Sequence, residues 1–151
     1  MRDEDYMREA LCLAREAYKQ GEIPVGAVVV VNEEIISRAH NEKERLNDAT
    51  AHAEILALQR AVQVKGNWRL NDAVLYCTLE PCAMCAGAMV NARLGKLVFG
   101  ARDSKAGAAG SIMDLVRAPW FNHQVEVKEG LLKEECAELL TRFFAKIRRD
   151  G

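Results

Sequence analysis

His52-Ala53-Glu54 and Pro81-Cys82-Ala83-Met84-Cys85 are the stretches whose residue types and spacing suit chemistry. Cys82 and Cys85 stand three apart, so on a helix they share a face. Proline suits the first turn of a helix, which predicts that Pro81 starts one there. The positive end of that helix favours the thiolate, the form of cysteine that binds metal. His52 can supply a third ligand. Three protein ligands on a four-coordinate zinc leave one position for water, as in a catalytic site rather than a closed structural one. Two thiolates blunt the Lewis acidity of the ion, so that water needs help in losing its proton. Glu54, close to the metal without ligating it, is placed to act as general acid and base.

Each stretch alone says little, because a lone C-x-x-C also serves redox chemistry or half of a structural zinc site. Together, in this order and with the proline, they reproduce the H-x-E and P-C-x-x-C signature of zinc nucleobase deaminases. A structural zinc and a thiol-redox pair are the alternatives. The structural site would need a fourth ligand, for which Cys77 is the nearest candidate, although its strand position points to the core.

The whole chain sets the frame. With 151 residues, 50% of them hydrophobic, it suits one domain over 1–151 with enough core to fold alone. The charged start, Met1-Arg2-Asp3-Glu4-Asp5, precedes no long apolar run, so neither signal peptide nor membrane span is expected and a cytoplasmic location is. Five cysteines, only Cys82 and Cys85 at ligand spacing, fit a reducing compartment, with Cys12, Cys77 and Cys136 as buried thiols. A net charge of -1 decides nothing about nucleic acid. The C-terminal end, however, gathers Arg142, Lys146, Arg148 and Arg149 without an intervening acid, either a polyanion site or a solvated helix face.

The elements that must position the site follow from periodicity. Met7, Ala10, Leu11, Ala14, Ala17 and Tyr18 recur at helical spacing before Gly21. Residues 23–31 are apolar and valine-rich, a buried strand, joined by a turn at Asn32-Glu33 to a second strand over 34–39. After Asn41 and a polar loop over 42–49, a helix is predicted over 51–64, capped by Asp48 or Thr50. That places His52 and Glu54 in its first turn, where both can converge on one site. Residues 68–72 turn into a third strand over 73–78, which delivers Leu79-Glu80-Pro81-Cys82 at its carboxyl end, the usual place for an α/β site. A core helix over 81–91, a fourth strand over 96–101 and a small-residue loop over 102–111, with Gly107 and Gly110 and without a P-loop ending, come next. Residues 112–116 read as a short helix, Trp120 and Phe121 as a core plug, and Val125 and Val127 as an edge strand. A last helix over 131–149 shows the stripe Cys136, Leu140, Phe143 and Ile147, with Phe144 and Arg148 one turn apart on its flank. His40 and His123 read as hydrogen-bonded loop residues.

Nearly end to end, the chain resembles the bacterial tRNA-specific adenosine deaminases of the cytidine-deaminase-like superfamily. The resemblance rests on the metal motifs, Pro24-Val25-Gly26-Ala27-Val28, Asn41, Ala101-Arg102-Asp103, Gly107-Ala108-Ala109-Gly110-Ser111 and Asn122-His123. It departs at Ala49, where relatives often carry proline. It implies an α/β fold, a three-layer α/β/α sandwich around a five-stranded mixed sheet. It also implies a homodimer whose partner helps build each site, and one zinc per subunit on His52, Cys82 and Cys85. The implied reaction is attack of zinc-activated water on adenine C6 at the wobble position of a tRNA anticodon stem-loop, in an arginine tRNA, with Glu54 moving the protons. Asn41 and Ala53 are then implied to meet the base, and Asp103, Lys105, Phe144 and Arg148 the neighbouring nucleotides. A deaminase of free bases or nucleosides shares the metal motifs and is the rival; the loop over 102–111 and the last helix argue against it.

Overall fold

In a computed structural model, residues 1–150 are described; Gly151, the last residue of the expected domain, lies outside them. The elements in order are α1 (Asp3–Lys19), β1 (Gly26–Val31), β2 (Glu34–His40), α2 (Ala53–Lys65), β3 (Ala73–Leu79), α3 (Ala83–Asn91), β4 (Lys96–Ala101), β5 (Glu126–Glu129) and α4 (Lys133–Asp150). The strands form one sheet in the order β2-β1-β3-β4-β5. β1 runs antiparallel to β2 and β3, while β3, β4 and β5 are parallel.

The valine run of β1 explains the layering. Successive strand residues face opposite sides, and Ala27 and Val29 enter one core while Val28 and Val30 enter the other. On the first side, Ala57, Leu58 and Ala61 of α2 and Ala86 and Met89 of α3 pack on the sheet. On the second, Met7, Ala10 and Leu11 of α1 and Cys136 of α4 do so. A sheet covered on both faces produces the continuous apolar strands seen in the sequence, and the expected α/β/α sandwich is what forms. Gly26 lets α1 lie against β1: a Cβ there would overlap the Ala10 carbonyl oxygen and sit 2.6 Å from the Ala14 nitrogen. Asn32 and Glu33 close the β1–β2 hairpin with left-handed backbones (φ 50° and 66°), the pair that a two-residue turn requires.

Several boundaries move. β1 starts at Gly26 rather than at 23, because Pro24 brings no N–H to the ladder and Val25 N–H instead donates to the Ile23 carbonyl, closing a turn. β2 runs one residue further, to His40, whose Nδ1 lies 3.2 Å from the Asn41 carbonyl oxygen. α2 starts at Ala53 with His52 as its N-cap, and α3 at Ala83 with Cys82 as its N-cap and Pro81 outside it. Neither Asp48 nor Thr50 caps α2: the Asp48 carboxylate accepts the N–H and O–H of Thr50 within the loop. α4 begins at Lys133 because Gly130 and Leu132 have left-handed backbones (φ 87° and 53°).

Residues 112–116 form no helix. They belong to a turn region closed by the antiparallel bridge Ala109–Asp114, which Arg117 braces through Asp114 and the Ala109 carbonyl. Of the aromatic pair, Phe121 packs on the core but Trp120 is 73% exposed, so it plugs nothing. Cys12 is exposed on α1, whereas Cys77 and Cys136 are buried. The buried stripe of α4 is Cys136, Leu139 and Phe143; Leu140 is half-buried and Ile147 exposed. His123 Nε2 lies 2.7 Å from the Leu94 carbonyl oxygen, the expected loop bond. No helix among the described residues is long and apolar enough to cross a membrane.

Candidate active site

Two helix entrances meet at the carboxyl end of β3. His52 and Cys82 have extended backbones (φ -74°, ψ 150° and φ -75°, ψ 177°) and cap α2 and α3 without a side-chain capping bond. Their side chains are therefore free to turn toward each other, and Cys85 joins them from the first turn of α3. His52 Nδ1 lies 3.7 Å from Cys82 Sγ and 3.5 Å from Cys85 Sγ, and the sulfurs are 3.8 Å apart. A tetrahedral zinc with Zn–S about 2.3 Å and Zn–N about 2.05 Å has edges of about 3.8 Å between sulfurs and about 3.6 Å between sulfur and nitrogen. The three donors already occupy one face of that tetrahedron. The sulfur separation is far beyond a disulfide's roughly 2.05 Å, and His52 Nδ1 within 3.7 Å of both sulfurs adds the third donor that a metal needs and a thiol-redox pair does not. Cys77 is not among the grouped donors; it lies in the core beneath them. A metal held by these three groups keeps an open position.

The charges around the cluster are strongly coupled. Hydrogen bonds with Cys85 and His52 pull the Cys82 thiol down to about 3. The same bond, together with burial, pushes Cys85 far up. His52 is raised by its bond to Cys82, against the effect of burial. Glu54 is 4% exposed, and burial lifts its carboxyl to about 7 against the attraction of His52. Ligands must be deprotonated to bind metal, so uptake expels protons. Because Cys85 and His52 are both held on the protonated side, zinc affinity should rise with pH. The expected slope is about tenfold per unit for each proton released. Calorimetric titration of chelator-treated protein in buffers of different ionisation enthalpy counts those protons; a pH-independent affinity would contradict the thiol assignment.

Glu54 faces a cavity of about 220 Å³ lined also by Asn41, His52, Ala53, Cys82 and Asp103. The Asn41 amide is tied at both ends, Nδ2 donating to the Ile23 carbonyl and Oδ1 accepting Lys43 N–H, so it shapes the turn and the cavity wall together. Asp103 Oδ1 likewise accepts the N–H groups of Lys105 and Ala106. Ile23, Leu79, Asp103 and Ala106 belong both to this cavity and to a groove of about 470 Å³. That groove adds Lys105, Leu140, Phe144 and Arg148. Apart from the fully buried Cys85, every residue singled out for chemistry or substrate contact therefore lines these two adjoining concavities.

Sequence reasoning passed over the buried carboxylates around the site. Glu80, 1% exposed, accepts the N–H groups of Asp103, Ala109 and Ser111 and the Ser111 hydroxyl. Burial raises its carboxyl, but these bonds outweigh it and hold the group below its ordinary value. Glu22, equally buried, accepts the N–H groups of Glu44 and Arg45 and pins the loop beside Asn41. The available signal was an acid at the end of an otherwise apolar strand, directly before the metal motif.

The pattern of the MafB19-like deaminase family matches residues 1–148. The chain is 51% identical over 147 residues, 97% of its length and 91% of the relative's, to the tRNA-specific adenosine deaminase of Bacillus subtilis (strain 168). It overlays with a TM-score of 0.87 and 43% identity on a structure from studies of A-to-I editing by tRNA:A34 deaminases at the wobble position of transfer RNA, covering 90% of this chain and 99% of that one. Against a guanine deaminase from Bacillus subtilis the TM-score is 0.66 at 32% identity, with 94% of both chains covered.

Proposed function

This chain belongs to the MafB19-like deaminases and, within them, to the tRNA-specific adenosine deaminases, and from that premise we propose how its residues carry out the reaction. The enzyme hydrolyses adenosine to inosine at the wobble position of a tRNA anticodon. One zinc ion per subunit would be held by His52 Nδ1, Cys82 Sγ and Cys85 Sγ, the donors whose separations suit it. Zinc bound there would supply a water of lowered pKa as the nucleophile.

Glu54 is the group placed to move the protons: it would take one from the attacking water and give it to adenine N1 as the oxygen bonds to C6, then carry the remaining proton of that C6 hydroxyl to the exocyclic nitrogen, which leaves as ammonia. A carboxyl near 7 suits a group that must both give and take protons. Asn41 and Ala53 border the cavity and hold the extruded base, and Asp103, Lys105, Phe144 and Arg148 meet its neighbours.

The observation that carries the RNA reading is the groove. A deaminase of free bases needs only the cavity, whereas here the cavity runs into a trough with an exposed aromatic and three cations, Lys105, Arg148 and Arg102, the last paired with Glu129. Phe144 is 40% exposed and held edge-on by Phe143, with ring centroids 5.5 Å apart. A flipped base leaves unstacked neighbours, and an aromatic that receives one contributes about 1 to 3 kcal/mol. Phe144→Ala should therefore weaken binding of an anticodon stem-loop by about fivefold to 150-fold at unchanged zinc content and melting temperature. Arg148→Ala should flatten the log-log salt dependence by about 0.7. Wild-type affinity and salt slope in both variants would return α4 to a merely structural role. The rival is tested by offering guanine, cytidine and adenosine beside the stem-loop; turnover of a free substrate alone would favour it.

An arginine tRNA is the proposed substrate, the cytoplasm the proposed location, and residues 1–151 one zinc-dependent deaminase domain. We assign the apolar trough between α2 and α3, lined by Ile55, Leu58, Val62, Trp68 and Ala88, to a second copy of this chain. Sedimentation of the purified protein distinguishes the homodimer from a monomer.

A further inference from the structure

Building on the RNA reading above, we infer that Glu80 is a positioning residue for the RNA substrate. Its carboxylate fixes the loop over 103–111 across the end of β3 and thereby sets the groove wall against the metal-ligating Cys82. All four hydrogen bonds of this buried group go to that one loop: Oε1 accepts Asp103 N–H at 3.0 Å and the Ser111 hydroxyl, and Oε2 accepts Ala109 N–H and Ser111 N–H, both at 3.0 Å. The loop has no helix, and its only β pairing is the single bridge at Ala109. Its other ties are backbone bonds, chiefly Ala108 N–H to the Pro81 carbonyl at 2.8 Å, together with the Arg117 side chain on the Ala109 carbonyl and the Asp103 carboxylate's bonds to Lys105 and Ala106 N–H within the loop. Gly107 is shaped around the carboxylate, since a Cβ there would overlap Glu80 Cδ and come within 2.5 Å of the Asp103 carbonyl oxygen. The held segment carries Asp103 and Ala106, which line both cavity and groove, and Lys105, which lines the groove. Glu80 also stands two residues before Cys82, so one side chain connects the metal motif to the surface that meets the nucleotides.

Glutamine tests this at atomic detail. Its amide nitrogen cannot accept a hydrogen bond. Placed toward Ala109 it would confront two backbone N–H groups. Placed on the other side it meets the Ser111 hydroxyl, which can rotate and accept, and only Asp103 N–H loses its acceptor. Glu80→Gln should thus release the groove end of the loop and keep its far end. With zinc-loaded protein and a synthetic RNA anticodon stem-loop bearing a wobble adenosine, KM should rise about tenfold, the size expected for one lost charge-assisted hydrogen bond. kcat should stay within about twofold and zinc content should be full, because Glu54 and the three ligands are untouched. Ser111→Ala, which removes one hydroxyl bond, should raise KM about threefold and decides the matter if Glu80→Gln fails to fold. Unchanged KM in the folded variants, a loss wholly in kcat, or loss of zinc would overturn the inference and make Glu80 a support for Cys82. A folded, zinc-loaded wild type that leaves the stem-loop untouched would instead overturn the RNA reading, and this inference with it.

Discussion

Glu54→Ala is expected to keep its zinc and to lose deamination by about a hundredfold to ten-thousandfold, the range for removing one general acid and base. The upper end is expected because the same carboxyl serves more than one proton transfer. The grouped donors are His52, Cys82 and Cys85 without Glu54, so metal content should not change. Nor should the fold suffer. The folded carboxyl sits near 7, above its ordinary 4.5, because burial disfavours the charge. A raised carboxyl contributes stability below its unfolded pKa and loses it as pH rises through the folded value. The metal-free wild type should therefore lose stability relative to metal-free Glu54→Ala as pH rises from about 4.5 to about 7. Metal analysis, single-turnover rates and melting curves at several pH values check the three statements. A variant purified without zinc would show that Glu54 is a ligand.

Cys82→Ala should have the opposite profile, losing zinc and falling to background activity while the metal-free fold persists. Cys82 is half-buried at the entrance of α3 and makes no side-chain capping bond there, so alanine removes no helix cap. It does remove one of the two thiolate donors, leaving Cys85 and His52 to hold the ion alone. A metal that binds only the folded state stabilises it by mass action. The melting temperature of the wild type should consequently fall on chelation to that of Cys82→Ala, and the variant should not respond to chelator. Mass spectrometry under native conditions reads the metal directly. Full zinc occupancy in the variant would mean that the site recruits another ligand and that the three-donor assignment is incomplete.

The contrast between these variants shows what could be read from the sequence. The H-x-E and P-C-x-x-C motifs carry their own geometry, and the valine run of β1 and the Asn32-Glu33 turn specify a buried strand and a hairpin, whereas the mixed sheet is implied by the family resemblance alone. Both helix entrances lie two residues later than the sequence suggests because His52 and Cys82 are caps with extended backbones. Proline and good helix formers mark a helix's vicinity without distinguishing cap from first turn. Residues 112–116 failed as a helix since so short a segment cannot offset its nucleation cost, and the Ala109–Asp114 bridge claims it instead. Trp120 was misplaced because an aromatic's exposure depends on what packs over it. Glu80 stayed without a role because its partners, Asp103 and Ser111, lie 23 and 31 residues away and meet it only in the fold.

This metal site, reached through the groove, is proposed to convert a wobble adenosine to inosine. Zinc-loaded protein incubated with a transcribed arginine tRNA, followed by reverse transcription and sequencing, tests it directly, because inosine is read as guanosine. The account predicts an adenosine-to-guanosine change confined to the wobble position with the wild type and none with Glu54→Ala. An unconverted wobble adenosine, with folded and zinc-loaded protein that instead deaminates free guanine or cytidine, would contradict it.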